Sequence, residues 1–434
     1  MGLITKAPRG TLDKLPGETY KFRFIENTAL ETAGLYGFRE IRTPVFEHTE
    51  LFKRGVGSTT DVVQKEMYTF DDKKGRSLTL KPEGTAPAAR AAIENGLLGD
   101  ALPLKLCYVT NCYRYEAPQS GRYREFSQFG AEVYGADTPA CDVELISFAY
   151  DLFTKLGIKN DFYKIEVNSI GCPDCRTAYQ ERLREYYDGF SHSLCGDCRE
   201  RLERNPMRLI DCKNPNCAPF KEDAPVILDY NCGSCKDFFA AYKAGLDALH
   251  IPYTVNPRIV RGLDYYTNTV FEFILNKSGL VFGAGGRYNG LVKELGGAAT
   301  PASGFALGLE RIVSVMNETG AAFPSPRVPD LYIVAIGEAK GCENPTGMSK
   351  SVEFSLKLSR DLRSRGLWVE CDIVGRSVKS QMRFADKIGA RFTVVIGEDE
   401  LVSGRAVLRN MGSKESVEVA LSGDGVCAEV VSYA

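Results

Sequence analysis

Eight of the chain's 14 cysteines fall between residues 172 and 235, in four close pairs: Cys172/Cys175, Cys195/Cys198, Cys212/Cys217 and Cys232/Cys235. The other cysteines are scattered through the rest of the chain. A secreted disulfide scaffold is short and Cys-rich throughout. This distribution therefore predicts one Cys-dense insertion within a larger, reduced, intracellular protein. Three of the pairs are C-x-x-C, the spacing with which knuckles place four thiolates tetrahedrally for structural Zn2+. Eight thiols are enough for one ion or two; metal-free thiols and disulfides are the alternative readings of the same spacing.

The length of 434 residues suits two or three domains of about 150 residues. With 54 basic and 56 acidic residues the net charge is −2, which excludes a wholly basic protein and leaves any nucleic-acid contact to a local surface. No segment approaches the ~18–20 apolar residues of a membrane span. The start, MGLITKAPRGTLDKLPGE, lacks the apolar stretch of a secretory signal, and Lys6 stands where a myristoylation motif needs Ser or Thr. The expected location is cytoplasmic, with no membrane partner.

Along the chain, residues 17–37 carry apolar positions at helical spacing and stop at Gly34 and Gly37. FREIRTPVFE (38–47) alternates as a strand, and Pro44 places that strand at a sheet edge or against another subunit. Residues 104–135 read as strand, polar loop, strand, and 138–157 as an amphipathic helix. A helix is expected over 237–250, strands over 261–275 and 281–292, and a strand entering a helix over 303–316. AAFPSPRVPD (321–330) holds three prolines and marks a linker. Beyond it, apolar runs at 331–337, 367–374 and 391–397 alternate with helical patterns at about 349–365 and 376–389, which predicts a small α/β domain. GAGGRY (283–288) is not a dinucleotide fingerprint, no Walker A sequence occurs, and the three histidines sit in unrelated contexts.

The segment 111–132 carries the most specific chemistry. Arg114 stands near the end of an apolar strand, with Arg122 and Arg124 on the loop after it. Guanidinium is the planar, always-charged donor suited to phosphate and carboxylate. Gln128 and Glu132 share a face of the returning strand, so Arg114, Gln128 and Glu132 can line one cleft. A solvated hairpin with surface charges is the alternative.

These strings together resemble a known family. FREIRTPVFE resembles motif 1 of class II aminoacyl-tRNA synthetases, YRYEAPQSGRYREFSQFGAEVYG (113–135) motif 2, and GFALGLERI (304–312) motif 3. RGLDYYTNTVFE (261–272) and FGAGGRYNGL (282–291) resemble the two signature peptides of histidyl-tRNA synthetases, and LKPEGT (80–85) their substrate-contacting loop. The resemblance implies an α+β catalytic core, an antiparallel sheet flanked by helices, over 1–169 and 238–322. The Cys-rich insertion occupies 170–237, and a C-terminal α/β anticodon-binding domain covers 327–434. It implies histidine activation by ATP with Mg2+, transfer to tRNA(His), and a homodimer built through motif 1. Arg114 and Arg261 are implied to clamp the α-phosphate, Arg311 the γ-phosphate and Arg122 the phosphate tail, with Phe126 stacked on adenine. Glu132 and Tyr266 are implied to meet the imidazole, Glu83, Thr85 and Gln128 the α-amino and carboxylate ends, and Tyr265 and Tyr288 to complete the pocket. The metal reading of the cysteines comes from spacing and not from the family. Glycines 283, 285 and 286 are expected to let backbone approach the substrate. In the tail, Arg376, Lys379, Arg383 and Lys387 are spaced 3, 4 and 4, one helix face on which phosphate relieves repulsion; a solvated face is the alternative. A non-catalytic, histidine-sensing regulatory paralogue is the competing function, though such paralogues tend to lose the C-terminal domain and substrate residues kept here.

Overall fold

The computed structural model describes residues 5–57, 60–99, 101–118, 121–337 and 347–433. Gln119 and Ser120 of the motif 2 string lie outside the described residues. The chain divides into two compact units, Met1–Pro324 and Ser325–Ala434.

The first unit opens with the helix Pro16–Leu35, started by Pro16 and Glu18 in its first turn and buried through Ile25, Ala29, Thr32 and Ala33. Gly34 lies inside it; the stop is at Gly37, whose φ of +79° suits glycine. Strand β1 (Arg39–Glu40) follows, then a small sheet of β2 (Phe46–His48), β3 (Tyr68–Asp71) and β4 (Ser77–Leu80) in the order β2-β4-β3. The single strand read over 38–47 is therefore two. The chain leaves the main sheet after Glu40, and Pro44, with no N–H to donate, lies between β1 and β2. The edge placement holds, since β1 is the outermost strand of the large sheet.

That large sheet adds β5 (Leu104–Tyr113), β6 (Glu125–Tyr134), β7 (Tyr163–Ser169), β8 (Thr254–Val255), β9 (Thr267–Leu275), β10 (Val281–Arg287) and β11 (Ala302–Gly308). Its order is β1-β5-β6-β11-β10-β9-β7-β8, antiparallel except at the two outer pairs. β5 and β6 pair over ten residues each, from Leu104↔Tyr134 to Tyr113↔Glu125. The strand read from 261 begins only at Thr267, so Arg261–Tyr266 is loop. The helices Pro139–Lys155 and Leu309–Thr319 share one core with the sheet's Phe129, Phe271, Phe273 and Phe305. The insertion is built of helices, the 16-residue Pro173–Asp188 followed by shorter ones such as Gly196–Arg204, and the chain re-enters through the helix Gly233–Ala248.

The second unit is a five-stranded sheet, ordered β13-β12-β14-β15-β16, of β12 (Leu331–Ala335), β13 (Val369–Cys371), β14 (Phe392–Ile396), β15 (Arg405–Asn410) and β16 (Ser416–Ala420). The pairs of β12 with β13 and β14 are parallel, and the rest antiparallel. Helices Lys350–Ser364, Val378–Lys387 and Gly423–Ser432 connect or follow these strands. An α+β core with a Cys-rich insertion and a mixed α/β C-terminal unit is thus the observed fold.

Arg287, in the GGRY string, is fully buried and is held by Asp142, also fully buried, through Nη2 at 2.7 Å and Nε at 3.1 Å. It also donates to the carbonyls of Ala136 (2.9 Å) and Thr138 (3.0 Å), to Asp137 Oδ1 (3.2 Å) and to Asn289 Oδ1 (3.3 Å). Arg287→Ala leaves Asp142 buried without its counter-ion, and the expected loss is about 3–5 kcal/mol of unfolding free energy. A denaturant midpoint within error of the parent's would contradict this account.

Candidate active site

Arg114 and Phe126 flank the hairpin β5–β6, Arg311 lies in the first turn of the helix after β11, and Arg261 lies in the loop before β9. These four line one cavity of about 440 Å³, together with Glu83, Thr85, Arg122, Gln128, Tyr265, Tyr266 and Tyr288. The cavity brings together every residue named from the resemblance for histidine or ATP except Glu132.

Glu132 is not on the cavity wall. It is wholly buried behind it, and Thr85 Oγ1 (2.7 Å), Tyr108 Oη (2.8 Å) and Tyr288 Oη donate to its carboxyl. Thr85 and Tyr288 connect it to the lining. Burial pushes its pKa up to about 8, against the pull of the hydrogen bonds from Tyr288, Thr85 and Tyr108. Tyr108 escaped the sequence reading. Its ring fits only because residues 84 and 130 are glycines, where a Cβ would collide with it, and a Cβ at Gly304 would collide with Glu132 itself. A tyrosine opposite a glycine in the β5–β6 register (Tyr108↔Gly130) was the available signal.

Glu83 is also buried. Its carboxylate accepts the backbone N–H of Thr85 (2.7 Å) and Ala86 (2.8 Å), capping the helix Thr85–Glu94. Burial raises its pKa in spite of those bonds. The thiol of Cys112, held protonated by burial, donates to Gln128 Oε1 at 3.2 Å.

The cationic part of the cavity is crowded. Arg114 Nε donates to the Pro82 carbonyl (2.8 Å), and its guanidinium stands 5.4 Å from the Phe126 ring centre. Arg122 pairs with Glu116, which also lies 3.8 Å from Arg114. Arg261 pairs with Glu272 and faces the Tyr266 ring at 5.4 Å, while its Nε has no hydrogen-bond partner. Arg311 Nε donates to the Gly121 carbonyl at 3.2 Å. Burial, and then the guanidinium of Arg122, pull the pKa of Arg311 down. Mutual repulsion of this kind is relieved by an anion. Glu116 and Glu272 were not singled out from sequence, although a charge within the apolar run TNTVFEFIL signals Glu272.

Glycines 283, 285 and 286 serve the sheet. A Cβ at Gly285 would meet the Gly304 carbonyl and Phe271, and one at Gly286 the Thr269 carbonyl. The close approach of these two is to neighbouring strands, while Gly283 also lines the cavity.

In the second unit, Arg376 precedes the helix Val378–Lys387 and pairs with Asp372 at 2.8 Å, its guanidinium 4.4 Å from the Phe384 ring centre. Lys379, Arg383 and Lys387 lie on the helix and are exposed. The four-residue basic face is thus three residues, with Arg376 set apart from it. In the insertion, the cysteines form two groups, Cys172/Cys175/Cys232/Cys235 and Cys195/Cys198/Cys212/Cys217, each able to hold a metal ion.

The family model described as histidyl-tRNA synthetase matches residues 10–169 and 231–312, and that described as an anticodon binding domain matches 330–423. The chain belongs to the histidyl-tRNA synthetase family. It is 48% identical over 422 residues to the histidine–tRNA ligase of Acetivibrio thermocellus, covering 96% of this chain and 98% of that one. It is 50% identical over 420 residues to that of Clostridium novyi, covering 97% of each. The crystal structure of apo S. aureus histidyl-tRNA synthetase superposes with a TM-score of 0.80 at 36% identity, covering 99% of this chain and 100% of that one.

A carboxyl whose folded pKa lies above its ordinary value is accommodated in its protonated form. Stability is full below the ordinary carboxylate range and is lost as pH climbs toward and through about 8. Over a pH series from about 5 to about 9, native protein should lose melting temperature relative to Glu132→Gln, which cannot ionise. Parallel curves across that range would count against the neutral carboxyl.

Proposed function

We propose that this chain acts as a histidine–tRNA ligase through the cavity just described. In the first step a carboxylate oxygen of histidine attacks the α-phosphorus of ATP, the new O–P bond replaces the bond to pyrophosphate, and histidyl-adenylate remains. In the second step a ribose hydroxyl at the 3′ end of tRNA(His) attacks the acyl carbon and AMP leaves. ATP is used with Mg2+, which suits a phosphate-bridging cation.

The observation that carries this reading is the division of the cavity's chemistry. Arg114, Arg122, Arg261 and Arg311 supply fixed positive charge where two anions must meet, and electrostatic preorganisation is the main source of catalysis for such a reaction. Arg114 and Arg261 hold the α-phosphate, Arg311 the γ-phosphate beside a helix N-terminus, Arg122 the phosphate tail, and Phe126 the adenine. The other part offers hydroxyls, of which those of Thr85 and Tyr288 are backed by the buried Glu132 carboxyl. Tyr266 reads the imidazole, Tyr265 and Tyr288 close the pocket, and Glu132 behind the wall orients the Thr85 and Tyr288 hydroxyls. A site that pairs both ring nitrogens rejects analogues lacking them far better than an apolar slot. Glu83 keeps lone pairs beyond its two cap bonds, and with Thr85 and Gln128 it holds the amino and carboxylate ends.

The catalytic domain spans 1–169 and 238–322, the insertion 170–237, and 327–434 binds the anticodon through Lys379, Arg383 and Lys387. The insertion cysteines hold structural Zn2+. The working form is a homodimer in the cytoplasm. Motif 1 supplies the exposed edge strand β1 and Phe46, whose exposed T-shaped pair with Phe70 of β3 is apolar surface that a second copy covers. Among the described residues no helix is long and apolar enough to cross a membrane.

Arg261→Ala should abolish histidine-dependent ATP–pyrophosphate exchange in a folded protein, and near-normal exchange would remove the electrostatic mechanism. Reversing Lys379 and Arg383 to Glu should lower tRNA affinity and flatten its salt dependence while exchange is unchanged; equal affinity would refute the anticodon contact.

A further inference from the structure

The loop that carries Arg261 and Tyr266 belongs to no strand or helix, so its backbone carbonyls need partners from elsewhere. The insertion supplies them. Arg176, next to Cys175, donates through Nη1 to the carbonyls of Tyr266 (2.9 Å) and Asp264 (3.4 Å). Asn205, between Cys198 and Cys212, donates to Asp264 Oδ1 at 3.0 Å. Arg208 donates through Nη1 to the carbonyl of Arg261 itself at 2.8 Å and pairs with Asp61 at 3.2 Å, and Asp61 also takes Arg201 at 2.7 Å. One apolar cluster runs from Tyr179, Leu183 and Leu209 of the insertion to Tyr265 and Tyr266.

The cysteines flank these contacts, and their geometry suits metal. The sulfurs of each group lie within 4.8 Å of one another. Separations of 3.5 Å (Cys172–Cys175), 4.0 Å (Cys175–Cys235) and 3.9 Å (Cys195–Cys212) bracket the ~3.8 Å edge of a tetrahedron with ~2.3 Å zinc–sulfur bonds. All lie far beyond the ~2.05 Å of a disulfide. The N–H groups of Cys232, Cys195 and Asn214 point at the sulfurs of Cys175, Cys217 and Cys212, the direction that stabilises thiolate charge.

We propose that each cysteine group binds one zinc ion and that the two ions hold the catalytic loop in register through Arg176, Asn205 and Arg208, which are positioning residues for histidine activation. The inference rests on the roles given above to Arg261 and Tyr266. The first group anchors the start of the helix that bears Arg176, and the second brackets the segment that bears Asn205 and Arg208. A small misplacement of a transition-state guanidinium is enough to lose most of the rate.

Elemental analysis of the full-length protein, purified without chelator or added metal, should give two zinc ions per chain, one for each group; fewer than about one overturns the metal half. Arg208→Ala and Arg208→Lys are then compared with the parent in pyrophosphate exchange, normalised to active sites counted by adenylate burst. Arg208→Ala should lower kcat per site about 100-fold with little change in KM for ATP, and Arg208→Lys should recover about 10-fold of it. An unchanged kcat per site, or a loss confined to the number of active sites, overturns the positioning role. Arg261→Ala measured alongside separates the two levels. If it retains exchange, the catalytic reading fails. If it loses exchange while Arg208→Ala does not, only the positioning fails.

Discussion

A carboxyl group withdrawn entirely from water must be neutral or surrounded by donors, and Glu132 has both conditions arranged around it. Three hydroxyls converge on it from the first residue of the helix Thr85–Glu94, from β5 and from the turn after β10. A Cβ at residue 84 or 130 would block Tyr108, and one at residue 304 would collide with Glu132 and the Tyr288 hydroxyl. The floor of the cavity therefore fixes the mutual position of four chain segments at once. In the proposed reaction the same group fixes the Thr85 and Tyr288 hydroxyls on the cavity wall, so specificity and local stability draw on one set of hydrogen bonds. Removing a hydroxyl from that set leaves a buried acceptor short of a donor, and the penalty falls on both.

The cationic part of the cavity follows the opposite rule. Arg114, Arg122 and Arg261 are held beside carboxylates, Glu116 and Glu272, so the positive charge is partly balanced before any anion enters. Arg311 is held by a backbone carbonyl and repelled by Arg122 and Arg114. A phosphate chain entering here competes with fixed partners and meets side chains already oriented. That arrangement favours the transition state over loose ground-state attraction, because no reorganisation remains to be done when charge develops.

The parts of this fold that were legible in the sequence are those governed by short-range rules. The strands β5 and β6 with a polar loop holding Pro118 and Gly121 between them, the strand running into a helix at Gly308, and the Pro-rich 321–330 segment all follow from local chemistry. The failures share a different cause. Residues 38–47 alternate well enough for one strand, yet Pro44 sends them to two sheets. The aromatic run before Thr267 looks like strand, but its conformation is set by contacts from a segment some fifty residues earlier. Glu132 shares a face with Gln128, which spacing reveals; that this face lies behind the cavity wall at one position and on it at the other depends on Thr85 and Tyr288, distant in sequence. Likewise spacing pairs each cysteine with its neighbour but cannot say that the first pair joins the fourth and the second joins the third.

That nested pairing has a mechanical consequence. The family model matches the chain on either side of the insertion and skips residues 170–230, so the catalytic core is recognisable without it. Here, however, the carbonyls of Arg261, Asp264 and Tyr266 accept from insertion side chains. The outer cysteine group spans the two points where the chain leaves and rejoins the core, and the inner group closes the excursion between them. A ligand set closed at its base transmits the core's position to Arg176, and one closed further out transmits it to Asn205 and Arg208. Between Cys195 and Tyr230 the helices run nine residues or fewer, and an apolar core alone gives little rigidity there. In the proposed zinc-bound form two tetrahedral clamps on a nested path would supply it where the loop needs it, without adding any group to the cavity itself.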